Sequence, residues 1–421
     1  MPPPLELPTI QNWSCHNCGG CCQQHLIEIT EAERQRIVEQ HWETDAEVSR
    51  GRPWLVRLGW WPWSRRYRLG HQPNGACVFL DEQGYCRIHA KFGEEAKPLA
   101  CRIYPYAFHP AGKKITVGLR FSCPSVAGNR GRPVSEQRHE LKVLERLVVP
   151  ESAAEMVPPP VTPGQSLDWS ETLQIVASLE RQIAEGTGGI VPRVIQALAF
   201  VELLGQARFD KIRGPRLREF LEIVAGAAAS EAAALPEQPE PSAVGRMQFR
   251  LQCAQYARRD TLADCELGWA NRWRLFRAAV RFTRGMGLAP PLQPAFVPVP
   301  FTELEPAFGP LPAAVDELLI RYLRVKIQSL HFCGRAYYDV PVVEGFQSLA
   351  LVIPVVLFLA RWLAVGAGRR QLTLDDVTRA LNIADHHHGY SPAFGQLNFR
   401  ARVRMLAQTQ DISRLTAWYG R

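Results

Sequence analysis

The pattern of apolar and polar positions changes character near residue 125. Before it, apolar runs are short and alternating. Leu26-Ile27-Glu28-Ile29 alternates as a strand does, and Thr30 with Glu33 forms a capping box that predicts a helix from about Glu31 to about His41. Cys77-Val78-Phe79-Leu80 and Tyr85-Cys86-Arg87-Ile88-His89, joined by Asp81-Glu82-Gln83-Gly84, read as a hairpin. Tyr104 to His109 and Ile115 to Phe121 read as a second, around Pro110-Ala111-Gly112-Lys113.

Beyond residue 125 the period is helical. Residues 128–166 are loop-rich, and Val157 to Gly164 marks a boundary. Asp168 and Glu171 open a helix to about Glu185, and Ile190 to Ala229 holds two or three more, broken near Gly214-Pro215. The Gly186-Thr187-Gly188-Gly189 run follows a helix and reads as its C-cap rather than a nucleotide loop. Cys265, Trp269, Trp273, Phe276 and Val280 share one helical face, which predicts a core stripe with Arg272, Arg274, Arg277, Arg281 and Arg284 on the solvent side. Val315, Leu318, Leu319, Tyr322, Leu323, Ile327 and Leu330 mark an amphipathic helix. The run Leu349 to Ala360 contains Pro354 and ends at Arg361; it is too short to span a bilayer and predicts a kinked, buried helix. Thr373 with Asp376 opens a helix ending near His386-His387-His388. These histidines point in different directions and read as a cationic turn or surface tract, second to the cysteines as ligand candidates.

The expected fold class is therefore α+β: a small Cys-rich domain with short β-hairpins, then a mainly α-helical region. The expected units are residues 1–127, a linker at 128–166, helices over 167–289, a Pro-rich connector at 290–312 and C-terminal helices over 313–421. Apolar content of 46% and charged content of 21% are ordinary for a soluble protein. The net charge of +8 permits an acidic partner without demanding one. Met1 to Pro8 has no basic or apolar signal region, so a cytoplasmic location is expected, where thiols stay reduced.

Cysteine changes the picture most. Eight of the eleven cysteines lie in the first 123 residues: Cys15, Cys18, Cys21, Cys22, Cys77, Cys86, Cys101 and Cys123. Packing does not ask for C-x2-C-x2-C-C, whereas a metal does, because the two-residue gap lets a tight turn aim successive sulfurs at one centre. All eight are candidate metal ligands; Cys253, Cys265 and Cys333 read as packing residues. Cys123-Pro124 echoes the fourth ligand of bacterial ferredoxin clusters. The triplet favours iron–sulfur, 4Fe-4S in type, over zinc, and the adjacent Cys21 and Cys22 are placed to serve two different centres. His89 could replace one thiol. Arg50 to Gly70 holds six arginines and no acid, interleaved with Trp54, Trp60, Trp61, Trp63 and Tyr67. It reads as tryptophans covering the metal core with arginines facing water, in preference to a nucleic-acid or membrane patch. Residues 1–135 carry 17 Lys+Arg against 12 Asp+Glu, an excess of +5 that would offset anionic metal–thiolate centres.

Residues 15–22, Cys77 and Cys86 with Ile88-His89, Cys101-Arg102-x-Tyr104-Pro105 and Cys123-Pro124 together resemble the CxxCxxCC cysteine-cluster family of zinc- or iron-chelating domains. Its relatives include flagellin lysine N-methylases. The resemblance implies metal binding over about the first 125 residues. It also implies, as an alternative function, S-adenosylmethionine-dependent protein-lysine methylation with a flagellin-like substrate. No donor-binding loop is legible, and a radical-type C-x3-C-x2-C fails because position 25 is His25. The reading is thus a cytosolic metal-binding protein whose helical part meets a protein partner, with nucleic acid and a membrane span not expected.

Overall fold

The structure is a computed structural model describing residues 3–49, 52–58, 65–150, 156–233, 240–259 and 268–421. Cys265, Trp60, Trp61 and Trp63 lie outside the described residues.

The first strands are short, as the brief apolar runs require. They are β1 (Leu5–Glu6), β2 (Asn12–Trp13), β3 (Glu28–Ile29), β4 (Leu55–Leu58) and β5 (Arg66–Leu69). Between them lie α1 (Gly20–Gln24), α2 (Glu31–Val38) and α3 (Ala46–Ser49). The capping box of Thr30 and Glu33 forms as expected, with the Glu33 carboxylate accepting from the Thr30 N–H at 2.7 Å. Strands β3, β5 and β4 make one antiparallel sheet. Trp54 and Tyr67 pack against the small core beneath it, as the covering role predicts for them, whereas Arg68 does not face water: it is buried and donates to the Leu69 carbonyl.

The hairpin expected over Cys77 to His89 does not form. Leu80 pairs with Cys86 through a single bridge, and Arg87 enters α4 (Arg87–Phe92) instead of a strand. The physical reason lies in Asp81, whose carboxylate accepts from Gln83 N and Tyr85 N and closes a tight turn that leaves no strand length. Then come α5 (Leu99–Ile103) and the second hairpin, β6 (Tyr106–Ala111) with β7 (Lys114–Leu119), which forms as read. Strand β1 joins its edge in parallel, Leu5 opposite Ile115. After α6 (Pro124–Ala127), β8 (Arg132–Pro133) pairs with β2. The stretch 128–166 is not all loop, because α7 (Arg138–Val148) crosses it.

The helical part follows as α8 (Trp169–Glu185), α9 (Ile190–Gln206), α10 (Pro215–Ala233), α11 (Ala243–Ala257) and α12 (Trp269–Arg284). Two short strands pair here, β9 (Leu288–Ala289) just before the connector and β10 (Val299–Pro300) within it. The chain ends in α13 (Ala313–Gln328), α14 (Val342–Gly366), α15 (Leu374–His387), α16 (Leu397–Gln408) and α17 (Asp411–Tyr419). The run read as too short to span a bilayer is part of a longer helix: α14 extends past both its ends and on through Pro354, and is long and apolar enough to cross a membrane, yet protein covers almost all of it. Around it pack α9, α11, α15, α16 and α17. Its buried Arg361 donates to the carbonyls of Leu304, Pro306, Tyr419 and Arg421.

Two cores result. The large one takes in β1, β6, β7, α6 and the helices. Among the described residues the small one has nine buried side chains, including Ile29, Ile37, Trp42, Cys77, Phe79 and Ile88. One stripe is placed differently from the expectation. Trp269, Trp273 and Phe276 face solvent, because α12 buries Asn271, Ala278 and Phe282 instead.

Candidate metal centre

The C-x2-C-x2-C-C loop turns sharply before α1. Asn17 and Gly19 take left-handed backbone conformations, with φ of 51° and 66°. That turn places Cys21 and Cys22 in the first helical turn, their sulfurs 4.0 Å apart. Cys77 is fixed to them by its N–H, which donates to the Cys22 carbonyl at 2.8 Å. Cys86 stands immediately before α4, and Cys101 lies within α5, whose Leu99 N–H donates to Glu33 at 2.6 Å. Four separate segments thus deliver Cys21, Cys22, Cys77, Cys86 and Cys101 to one basin.

The basin shows in the protonation of its thiols. Burial pushes Cys77 up to about 12, and Cys86 and Cys21 add to the rise. Cys101 is raised by burial, then by Cys77, Cys86 and Cys21. The hydrogen bond between the two thiols holds Cys21 down at about 7 while Cys22 rises far above the usual thiol range. Thiols such as Cys77 and Cys101, raised by burial and by their neighbours, need a cation to become thiolates together.

Cys123 forms a second neighbourhood with the start of the loop. Burial raises its thiol against the pull of the Val126 and Ser125 N–H groups, and Cys18 adds to the rise. Cys18 Sγ lies over Gly20 beside Pro124, and His16 Nδ1 is 3.0 Å from Ser125 Oγ. Cys15 and Cys18 are exposed. Tyr104 feels both Cys123 and Cys21, so its ring lies near both neighbourhoods. Among the described residues, no three Cys, His, Asp or Glu side chains already form a set that could hold a metal ion. The donor chemistry fits a thiophilic metal, and binding would draw the sulfurs inward from the places they hold here. Cys253 and Cys333 are buried in the large core.

The histidine run, read from sequence as a surface tract, is folded inward. Helix α15 aligns Val377, Leu381, Ala384 and His388 on one buried side, so the apolar period runs straight into the histidines. That period was the signal in the sequence. The His386 ring stacks on His25 at 4.8 Å, and His25 meets Tyr104 edge-on at 5.0 Å. Arg120 donates to the His386 carbonyl and lies over the rings of Tyr390 and Tyr104. Asp385 accepts from the Ser122 N–H at 3.0 Å and pairs at 2.7 Å with Lys326, both side chains fully buried. Burial keeps these rings neutral, lowering His25 to about 3 and His386 to about 2. The helical part is thereby clamped onto the segment carrying Cys101, Tyr104 and Cys123.

Residues 14–124, about a quarter of the chain, match the CxxCxxCC family model, described as "Putative zinc- or iron-chelating domain". The match supports metal binding by this part of the protein and does not extend to the flagellin methylase name. No curated protein and no solved structure gives a significant match.

Proposed function

We propose that the N-terminal region binds two thiolate-ligated metal centres, iron–sulfur in type. The observation that carries this is the convergence of thiols from four chain segments on one basin, half-buried except for the buried Cys77. Cys22, Cys77, Cys86 and Cys101 would hold the inner centre. Cys15, Cys18, Cys21 and Cys123 would hold the outer one, since they repeat the C-x2-C-x2-C…C-P order of cluster-binding chains. The division rests on the adjacency of Cys21 and Cys22, whose sulfurs can serve different centres, with Cys77 and Cys86 acting on Cys22. Lys97 is the basic side chain whose charge reaches both Cys21 and Cys101, so it would offset part of the inner centre's negative charge. When bound, iron–sulfur centres supply one-electron chemistry, whereas zinc would supply folding energy alone.

Metal and acid-labile sulfide analysis of anaerobically purified protein, with its visible absorption spectrum, tests the proposal. Iron and sulfide in equal amounts with a broad visible band are expected. Cys86→Ser and Cys18→Ser should each remove about half the metal and leave different halves of the spectrum. Zinc without sulfide would sink the iron–sulfur assignment. Full metal content in both variants would sink the ligand assignment.

A further inference from the structure

The face of α12 that the sequence marks for the core is a ridge on the surface. Asn271, Ala278 and Phe282 turn inward, and Trp269, Trp273 and Phe276 stand on the other side at i, i+4 and i+7. These three are 81%, 66% and 56% exposed. Trp273 and Phe276 bring their rings within 5.3 Å, and the Arg272 guanidinium lies over the Trp269 ring at 5.0 Å. Past the helix, Met286 and Leu288 are exposed apolar side chains as well. Single exposed apolar side chains are ordinary, but a continuous aromatic ridge is a contact surface. Helix α12 also carries five arginines and no aspartate or glutamate. Arg272 flanks the ridge on one side, with Arg277, Arg281 and Arg284 on the other, all exposed.

We infer that this ridge docks the protein on an anionic lipid surface. Two features choose this occupant. Rings this exposed stand out from the body instead of lining a groove, which suits a flat, yielding bilayer better than a folded partner that would need a matching pocket. The charges that α12 itself contributes to the rim have one sign, complementary to acidic headgroups, while indole and phenyl rings favour the boundary between headgroup and acyl chain. The arginine stems lie along the ridge with their guanidinium groups at headgroup level. The inference concerns peripheral attachment only, since α14 is covered by protein, and it is independent of the metal assignment.

Full-length protein, as purified, is sedimented with vesicles of phosphatidylcholine alone and of phosphatidylcholine mixed with phosphatidylglycerol. Binding to the mixed vesicles, weakened by salt, is expected, with little binding to phosphatidylcholine. Trp269→Ala with Trp273→Ala should lower partitioning roughly tenfold or more, with an unchanged circular dichroism spectrum because both side chains are exposed. Arg277→Gln with Arg281→Gln should abolish the preference for the anionic vesicles. Failure to bind the mixed vesicles, or undiminished binding by the tryptophan variant, overturns the inference. So does displacement by inorganic phosphate at matched concentration, which would mark a simple anion site. Retention on polyglutamate or RNA in preference to vesicles overturns it in favour of a macromolecular partner.

Discussion

Lys326 and Asp385 are both wholly enclosed, and each is the other's charge partner. Removing one member of such a pair leaves a buried charge with no counterpart, a loss of about 3–5 kcal/mol. Lys326→Met should therefore lower the urea midpoint sharply, and adding Asp385→Asn should restore part of the loss. The neighbouring histidines set a pH dependence. His109, stacked on His331 at 5.0 Å, is lowered by burial and by Lys326 to about 4, from 6.5 when exposed. Between these values the unfolded chain binds more protons than the folded one. Stability thus rises with pH across that window and is lost as pH falls from about 6.5 toward 4. His109→Phe keeps a flat ring and has nothing to protonate, so denaturation series at pH 5 and pH 8 should differ less than in the parent. An equal difference would show that other groups carry the acid sensitivity.

At the scale of elements, the parts legible in the sequence were those where a local rule acts alone. The capping residues opening α2 and α15, the β6–β7 hairpin and the amphipathic period of α13 all needed only near neighbours. What the sequence did not reveal was decided by tertiary packing. Cys77 to His89 has strand-like composition, but the Asp81 turn and the approach to the cysteine loop leave room only for bridges. In α12 two faces are apolar enough to compete, and the smaller Asn271–Ala278–Phe282 face fits the body where bulky indoles do not. The eight ligand candidates could be read from spacing, yet their division into basin and flank could not, because Cys77, Cys86 and Cys101 are brought to Cys22 only by the fold. Gly84 is one such contact. Its φ is +88°, and an added Cβ would lie 2.7 Å from the Asn17 carbonyl oxygen. Gly84→Ala should force the turn away from the cysteine loop, destabilise by about 1–3 kcal/mol, and lower metal content, which metal analysis beside a thermal melt would reveal.

For the whole molecule, the unequal cores predict unequal dependence on metal. The small core, with nine buried side chains among the described residues, is far smaller than the large one, so metal ligation should supply much of the cysteine region's stability. Stripping metal with a chelator should open residues 14–103 to protease while β6, β7 and the helices persist as a resistant fragment. Uniform resistance after complete stripping would contradict this.

The anchoring of the first strands has a kinetic consequence. Trp13 is held to β8 and Leu5 to β7, while Tyr106 re-enters the same large core. The cysteine region is thus a loop closed at both ends by structure that does not need metal. When the loop loses its order, its thiols cannot diffuse apart, and the entropy of bringing its ends together has already been lost. Reconstitution should accordingly be first order in protein: halving the concentration of apo-protein, with metal in excess, should leave the half-time of reloading unchanged.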